Sequence, residues 1–165
     1  MIDWSERAGE ERALLAPSFS ATLLWQAAAG HYAEVERGVP LELSFLVLPI
    51  VLHRGTRELL PKSVVTSLPV WLEDNPLIRS GIAERARTLV PFTKDAMAFG
   101  GTRGLFSISP SEITAVAGWK RKLNSVLKDT SQEVADCVKR AEMLGRWFAR
   151  IGNGATVMAL LGVRP

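Results

Sequence analysis

The sequence predicts a mainly α-helical fold with one β-hairpin, in which a winged-helix-like order of elements is followed by a long C-terminal helix. Three observations support it: apolar residues recur at helical spacing in several segments, two β-prone runs flank Ser109-Pro110-Ser111, and one apolar stripe extends from Val134 to Ile151. A chain of 165 residues can bury a substantial core without disulfides. We divide it into an N-terminal extension (1–17) and a single domain (18–165).

The first part of the domain is predicted to be helical. A helical pattern covers Phe19–Glu36, and the Leu-rich segment Leu41–Leu52 is apolar on all sides, which predicts the most buried helix. Thr56 is the expected N-cap of a short helical piece, and Ser67 is the expected N-cap of a helix over Leu68–Asp74.

The next helix has the clearest start signal. Asn75 followed by proline predicts a helix over Pro76–Leu89, with Arg85 on its outer face. Pro91 is expected to end that helix, so that Phe92–Phe99 forms a second, short one.

The hairpin completes the winged-helix-like part, which covers about residues 64–118. Its strands are predicted at Gly104–Ile108 and Glu112–Val116. Short helix, helix, tight turn, helix and hairpin is the order of elements in a winged-helix domain. The alternative is a generic α-rich fold that contains one hairpin.

The C-terminal helical part covers residues 119–165. Thr130 and Glu133 form a predicted capping box. The apolar stripe that follows includes Cys137 and Phe148 and ends where Gly152-Asn153-Gly154 breaks the helix before a short apolar segment.

Charge is distributed unevenly along the chain. Residues 1–78 contain six basic and ten acidic side chains (net −4), whereas residues 79–165 contain fourteen basic and seven acidic ones (net +7), which sums to the overall +3. The basic half is suited to face an anionic partner, either nucleic acid or an acidic protein surface. The alternative is a solvated basic face without a partner.

The sequence contains no pattern that predicts an enzyme. Cys137 lies on the apolar stripe, His31 and His53 have no evident nucleophile or metal partner, and Gly100–Gly104 lacks the Gly-Lys-Ser/Thr ending of a P-loop. We therefore predict no catalytic residue, no cofactor and no metal site.

A cytoplasmic location is predicted from two features. The N-terminal residues are acidic where a signal peptide would be basic. The most apolar segment, Leu43–Leu52, is too short to span a bilayer and contains a proline. We expect no membrane association.

Two clusters are candidate binding sites. Lys120, Arg121, Lys122 and Lys128 follow the hairpin and are candidate phosphate contacts for nucleic acid, the alternative being the solvated side of a short helix. Arg146, Trp147 and Arg150 lie off the centre of the apolar stripe and are candidate partner-binding residues, because Trp and Arg are enriched at protein interfaces.

Four strings in the domain resemble one protein family. They are Leu48–Pro61 (LPIVLHRGTRELLP), Arg85–Thr93 (RARTLVPFT), Leu144–Ala149 (LGRWFA) and Thr156–Pro165, which ends in ALLGVRP. In this order they are similar to the middle components of three-component ABC systems, which include Lamassu-type bacterial anti-phage defence operons. The resemblance covers about residues 18–165.

The resemblance implies a non-enzymatic adaptor subunit that links a coiled-coil ABC ATPase of the chromosome-maintenance type to an effector subunit. The effector in such systems is often a nuclease, and the complex is associated with sensing phage DNA. We therefore add His53 and Arg57, in the turn of the first string, to the candidate partner-binding residues. The alternative function is a winged-helix nucleic-acid-binding protein or regulator.

Overall fold

A computed structural model describes residues 8–164, apart from the side chains of residues 10, 11 and 14. Residues 1–7 of the predicted N-terminal extension lie outside this description. The described chain is mostly helical with a small antiparallel sheet, which confirms the predicted fold class. The helices are α1 (Gly9–Leu14), α2 (Pro17–Val35), α3 (Leu41–Val51), α4 (Arg54–Leu59), α5 (Leu68–Asp74), α6 (Ile78–Thr102), α7 (Lys120–Leu127), α8 (Gln132–Ile151) and α9 (Gly154–Leu160).

The core lies around α2 and α3. Helix α2 packs against α8 and α6, and α3 packs against α6, α8 and α9. Eight of the eleven residues of α3 are buried, as its apolar character on all sides predicts. None of the helices in the described part of the chain is long and apolar enough to cross a membrane.

The predicted interruption at Pro91 is wrong, because α6 runs without a break from Ile78 to Thr102. Proline removes one backbone hydrogen bond from a helix. Pro91 is exposed, while Ala86 and Ala96 on either side of it are buried, so burial on both sides favours one continuous helix. The predicted cap is also wrong: Asn75 ends α5, and its Nδ2 donates to the Trp71 carbonyl at 2.9 Å.

The hairpin prediction is confirmed and a third strand joins it. Strands β2 (Phe106–Ile108) and β3 (Glu112–Ala115) are antiparallel, with Ser107 opposite Thr114. Strand β1 (Val39–Pro40) pairs with the other edge of β3, giving the order β1-β3-β2. The winged-helix-like arrangement and the division into domains stay predictions.

The start of α8 differs from the predicted capping box by one residue. Ser131 is the N-cap, and its side chain accepts a hydrogen bond from the Val134 N–H, whereas Thr130 donates to the Leu127 carbonyl. The expected break after α8 is confirmed at Gly152, whose φ of 88° favours glycine.

Candidate partner-binding surface

The α2–α8 contact positions Arg146 of the third string and Arg150, which follows that string in α8. A Cβ at Gly145 would collide with the Ala27 carbonyl, and one at Gly30 would collide with the Glu142 carbonyl. The two backbones are therefore in direct contact at two places, which fixes the next turn of α8 beside α2.

Arg146 and Arg150 meet on a single carboxylate of α2. Arg146 Nε donates to Glu34 Oε1 at 2.8 Å, and Arg150 Nε donates to Oε2 of the same residue at 2.9 Å. The hydrogen bond from Arg146, followed by that from Arg150, lowers the pKa of Glu34 below its ordinary value. Both arginine side chains keep about half of their surface exposed.

Trp147, predicted to be a partner-binding residue off the centre of the apolar stripe, is instead buried in the core. Its side chain is 1% exposed, and its Nε1 donates to the Thr66 carbonyl at 2.6 Å. The Trp71 ring packs edge-on against it, with the centroids 5.4 Å apart. The segment before α5 covers this side of α8, a tertiary contact that helical periodicity does not indicate.

Arg57 is also internal, in contrast to its predicted position in a partner-binding turn. It is 3% exposed, its Nη1 donates to the Val51 carbonyl at 2.7 Å, and its Nη2 is bonded to Glu133 of α8. The last carbonyls of α3 have no partner within their own helix. Arg57 therefore completes the end of α3 and ties it to α8.

His53 is exposed and caps α4, so the predicted cap at Thr56 is wrong. The Nδ1 of His53 accepts a hydrogen bond from the Thr56 N–H at 3.0 Å. Partial burial and then the charges of Arg85 and Arg57 lower the pKa of His53. The neutral ring, which the cap requires, is thereby favoured.

Arg85 brings the first two strings together, although the sequence pattern placed it on an outer face. Its Nε donates to the Pro49 carbonyl at 3.0 Å, and its Nη2 donates to Thr56 Oγ1 at 2.7 Å. Burial lowers the pKa of this guanidinium. Arg85 is the first residue of the second string. Its place in that string is the sequence signal that could have indicated a functional or structural role.

The basic residues predicted to contact nucleic acid lie on a different surface. Each of them is exposed, and none forms an ion pair with a residue of the described chain. Lys122 Nζ lies 4.6 Å from the ring centre of Trp119, and that ring is held by a 2.8 Å hydrogen bond from its Nε1 to the Gly104 carbonyl. We call Lys120, Arg121, Lys122 and Lys128 the α7 basic patch.

Cys137 and His31 are internal. Cys137 is buried, with its Sγ 3.8 Å from the Val51 carbonyl, and burial raises its pKa. His31 is buried, its Nδ1 lies 2.9 Å from the Arg37 carbonyl, and burial lowers its pKa. Within the described range, no three His, Cys, Asp or Glu side chains are placed to hold a metal ion.

Comparison with known families identifies the class of protein. The model of the family described as "ABC-three component (ABC-3C) system Middle Component 3" matches residues 4–165. The chain belongs to this family, which confirms the resemblance to middle components of three-component ABC systems. No curated protein and no solved structure matches the chain.

Proposed function

We propose that this chain is a non-enzymatic adaptor subunit that links a coiled-coil ABC ATPase to an effector in a cytoplasmic anti-phage defence complex. The observation that carries the proposal is the family match over residues 4–165. The family's name implies association with other components of an ABC-3C system.

The internal contacts support a role without covalent chemistry. Arg57 and Arg85 bond the ends of α3 and α4, and Trp147 bonds the segment before α5. Cys137 and His31 are buried, and the Nδ1 of the exposed His53 is occupied as the cap of α4. The polar groups of Arg57, Arg85 and Trp147 stabilise the fold. We therefore expect other, exposed residues to bind partner subunits.

A surface beside Arg150 has the composition of a protein interface. Arg150 lines a cleft with Val65 and Pro69, and Val65 is 77% exposed. Arginine is enriched at protein interfaces, and burial of an exposed apolar side chain by a partner is favourable. We therefore assign the contact with a partner subunit to the Arg150–Val65 surface.

The test is co-expression of this chain with the products of the adjacent genes. The ATPase and the effector are expected to elute together in size-exclusion chromatography only when this chain is present. Val65→Asp with Arg150→Glu is expected to release one of them. Leu77→Asp is the matched control, because Leu77 is 88% exposed and does not line the cleft. Association of the ATPase and effector without this chain contradicts the proposal.

Nucleic-acid binding through the α7 basic patch is the second candidate function. The specific observation that favours it is a set of exposed cations without acidic partners beside an indole ring. Such groups contact phosphates and bases.

Fluorescence anisotropy of labelled duplex DNA at several salt concentrations tests this function with the chain alone. Changing Lys120, Arg121 and Lys122 to Ala is expected to reduce the slope of log K against log salt by about three. The control is Lys139→Ala, since Lys139 is an exposed lysine of α8. An unchanged slope, or no binding by the wild type, contradicts this candidate.

A further inference from the structure

An open groove runs between α3, α6 and the C-terminal segment. It has a volume of about 390 Å³, and its surface is mainly apolar, within the range of pockets that bind ligands or side chains. Apolar residues from α3, α6, α9 and the C-terminal segment line it together with Pro110 of the hairpin turn: Leu41, Phe45, Ala86, Val90, Met158 and Val163.

Three cations stand around this groove. Arg87 and Lys94 belong to α6 and Arg164 to the C-terminal segment; all three are exposed, and none has an ion pair or hydrogen bond to a residue within 8–164. One lining residue is acidic: Glu42, whose carboxylate lies against Gly154 at the start of α9. The groove is therefore apolar inside and positive at its edges.

The spacing of the groove residues along α6 sets the length of the partner segment that the groove would hold. Arg87, Val90 and Lys94 are separated by three and four residues, so they share one face of the helix over two turns, or about 10 Å. A partner helix of the same length presents apolar side chains at positions i, i+3 or i+4, and i+7. Acidic residues beside that stripe would face Arg87 and Lys94 on one side and Arg164 on the other.

We propose that this groove binds an acidic amphipathic helix of another component of the same ABC-3C system. The inference rests on the proposed adaptor function and names the chemistry of one of its contacts. Charge complementarity selects an acidic segment, because a basic or uncharged helix would leave three cations beside it without partners.

The test uses the complex formed on co-expression with the adjacent gene products. The photo-cross-linking residue p-benzoylphenylalanine replaces Phe45, an aromatic residue of the groove lining, and mass spectrometry identifies the cross-linked segment. Cross-linking to an acidic amphipathic segment of another component is the expected result. Separately, Arg87→Glu with Lys94→Glu is expected to weaken the complex about tenfold, whereas Lys139→Glu leaves its affinity unchanged.

The outcomes separate this inference from the proposed function. A complex that retains full affinity after the double reversal, or a cross-link to a basic or uncharged segment, to DNA or to a second copy of this chain, overturns the groove assignment and leaves the adaptor function intact. The absence of any complex with the wild-type chain overturns both. Circular dichroism establishes that the reversed variant is folded, and the cross-link does not depend on that variant.

Discussion

Gly145 of α8 lies directly on the backbone carbonyl of Ala27 in α2. There is no room for a side chain at this position, and the same holds for Gly30 against Glu142 one turn further along. The two glycines allow α2 and α8 to approach to backbone contact. This contact explains why glycine precedes Arg146 in the third string. It fixes the position of α8 along α2, and this position brings Arg146 and Arg150 within hydrogen-bond distance of Glu34.

Gly145→Ala is expected to destabilise the fold by about 2 kcal/mol or more, because overpacking a core forces the backbones apart. Chemical denaturation monitored by circular dichroism measures the change in the free energy of unfolding. The control is Gly101→Ala, also in a helix, where the new methyl group would make an ordinary contact of 3.6 Å with Ile108; that change is expected to be neutral or stabilising. Equal stability of the two variants would contradict the close contact.

Arg57→Met is expected to lower the free energy of unfolding by about 2–4 kcal/mol. The substitution removes the donor to the Val51 carbonyl and the bond to Glu133, and an unsatisfied buried carbonyl alone costs about 1–3 kcal/mol. Glu133→Gln is expected to cost less, since the Glu133 side chain is about half exposed. Equilibrium unfolding of the single and double variants gives their coupling energy.

The exposed pair Arg54–Glu58 provides the comparison for Arg57. Its atoms are 2.7 Å apart on the surface of α4, and Glu58→Gln is expected to change stability by less than about 0.5 kcal/mol. If Glu58→Gln and Arg57→Met lower the free energy of unfolding equally, Arg57 is not the residue that stabilises the end of α3 through the Val51 carbonyl.

Trp147→Phe is expected to destabilise the chain by about 2 kcal/mol, because it leaves the Thr66 carbonyl without its donor and removes part of the contact with Trp71. Trp119→Phe is the control: it removes the same type of bond, to the Gly104 carbonyl, at a half-exposed site, and we expect a loss below about 1 kcal/mol. Thermal unfolding followed by tryptophan fluorescence measures both. A larger loss for Trp119→Phe would be inconsistent with these positions.

Elements with local signals were predictable from the sequence. The apolar segment that forms α3, the hairpin around Pro110 and the break at Gly152 each depend on neighbouring residues. The continuity of α6 through Pro91 was not predictable from the sequence. Packing of α6 against α2 and α3, which are distant in the chain, outweighs the loss of one backbone hydrogen bond at the proline.

The candidate site was predictable only in part, for a related reason. Arg146 and Arg150 are each about half exposed, which agrees with their positions beside the apolar stripe. Arg57 and Trp147 are residue types that are common at interfaces, but both donate to internal carbonyls: Arg57 to Val51 at the end of α3, and Trp147 to Thr66, 81 residues earlier. From sequence alone, a side chain that donates to a backbone carbonyl of its own chain cannot be distinguished from one that binds a partner protein. The structure is needed to locate the carbonyl.

Glu34→Gln is expected to make stability less dependent on pH on the acid side. The two arginines hold the pKa of Glu34 below its ordinary value of 4.5, so the folded state favours the ionised form. Its contribution is therefore fully present above pH 4.5 and is lost as the pH falls through the pKa of the folded state. Urea unfolding at pH 7 and at steps below 4.5 is expected to show wild type and variant converging as the solution becomes more acidic. Glu73→Gln, on an exposed carboxylate of α5 without an ion pair in the described chain, is the control for the change of charge. A difference between wild type and Glu34→Gln that is the same at every pH would mean that the fork of Arg146 and Arg150 does not discriminate between the two protonation states of Glu34.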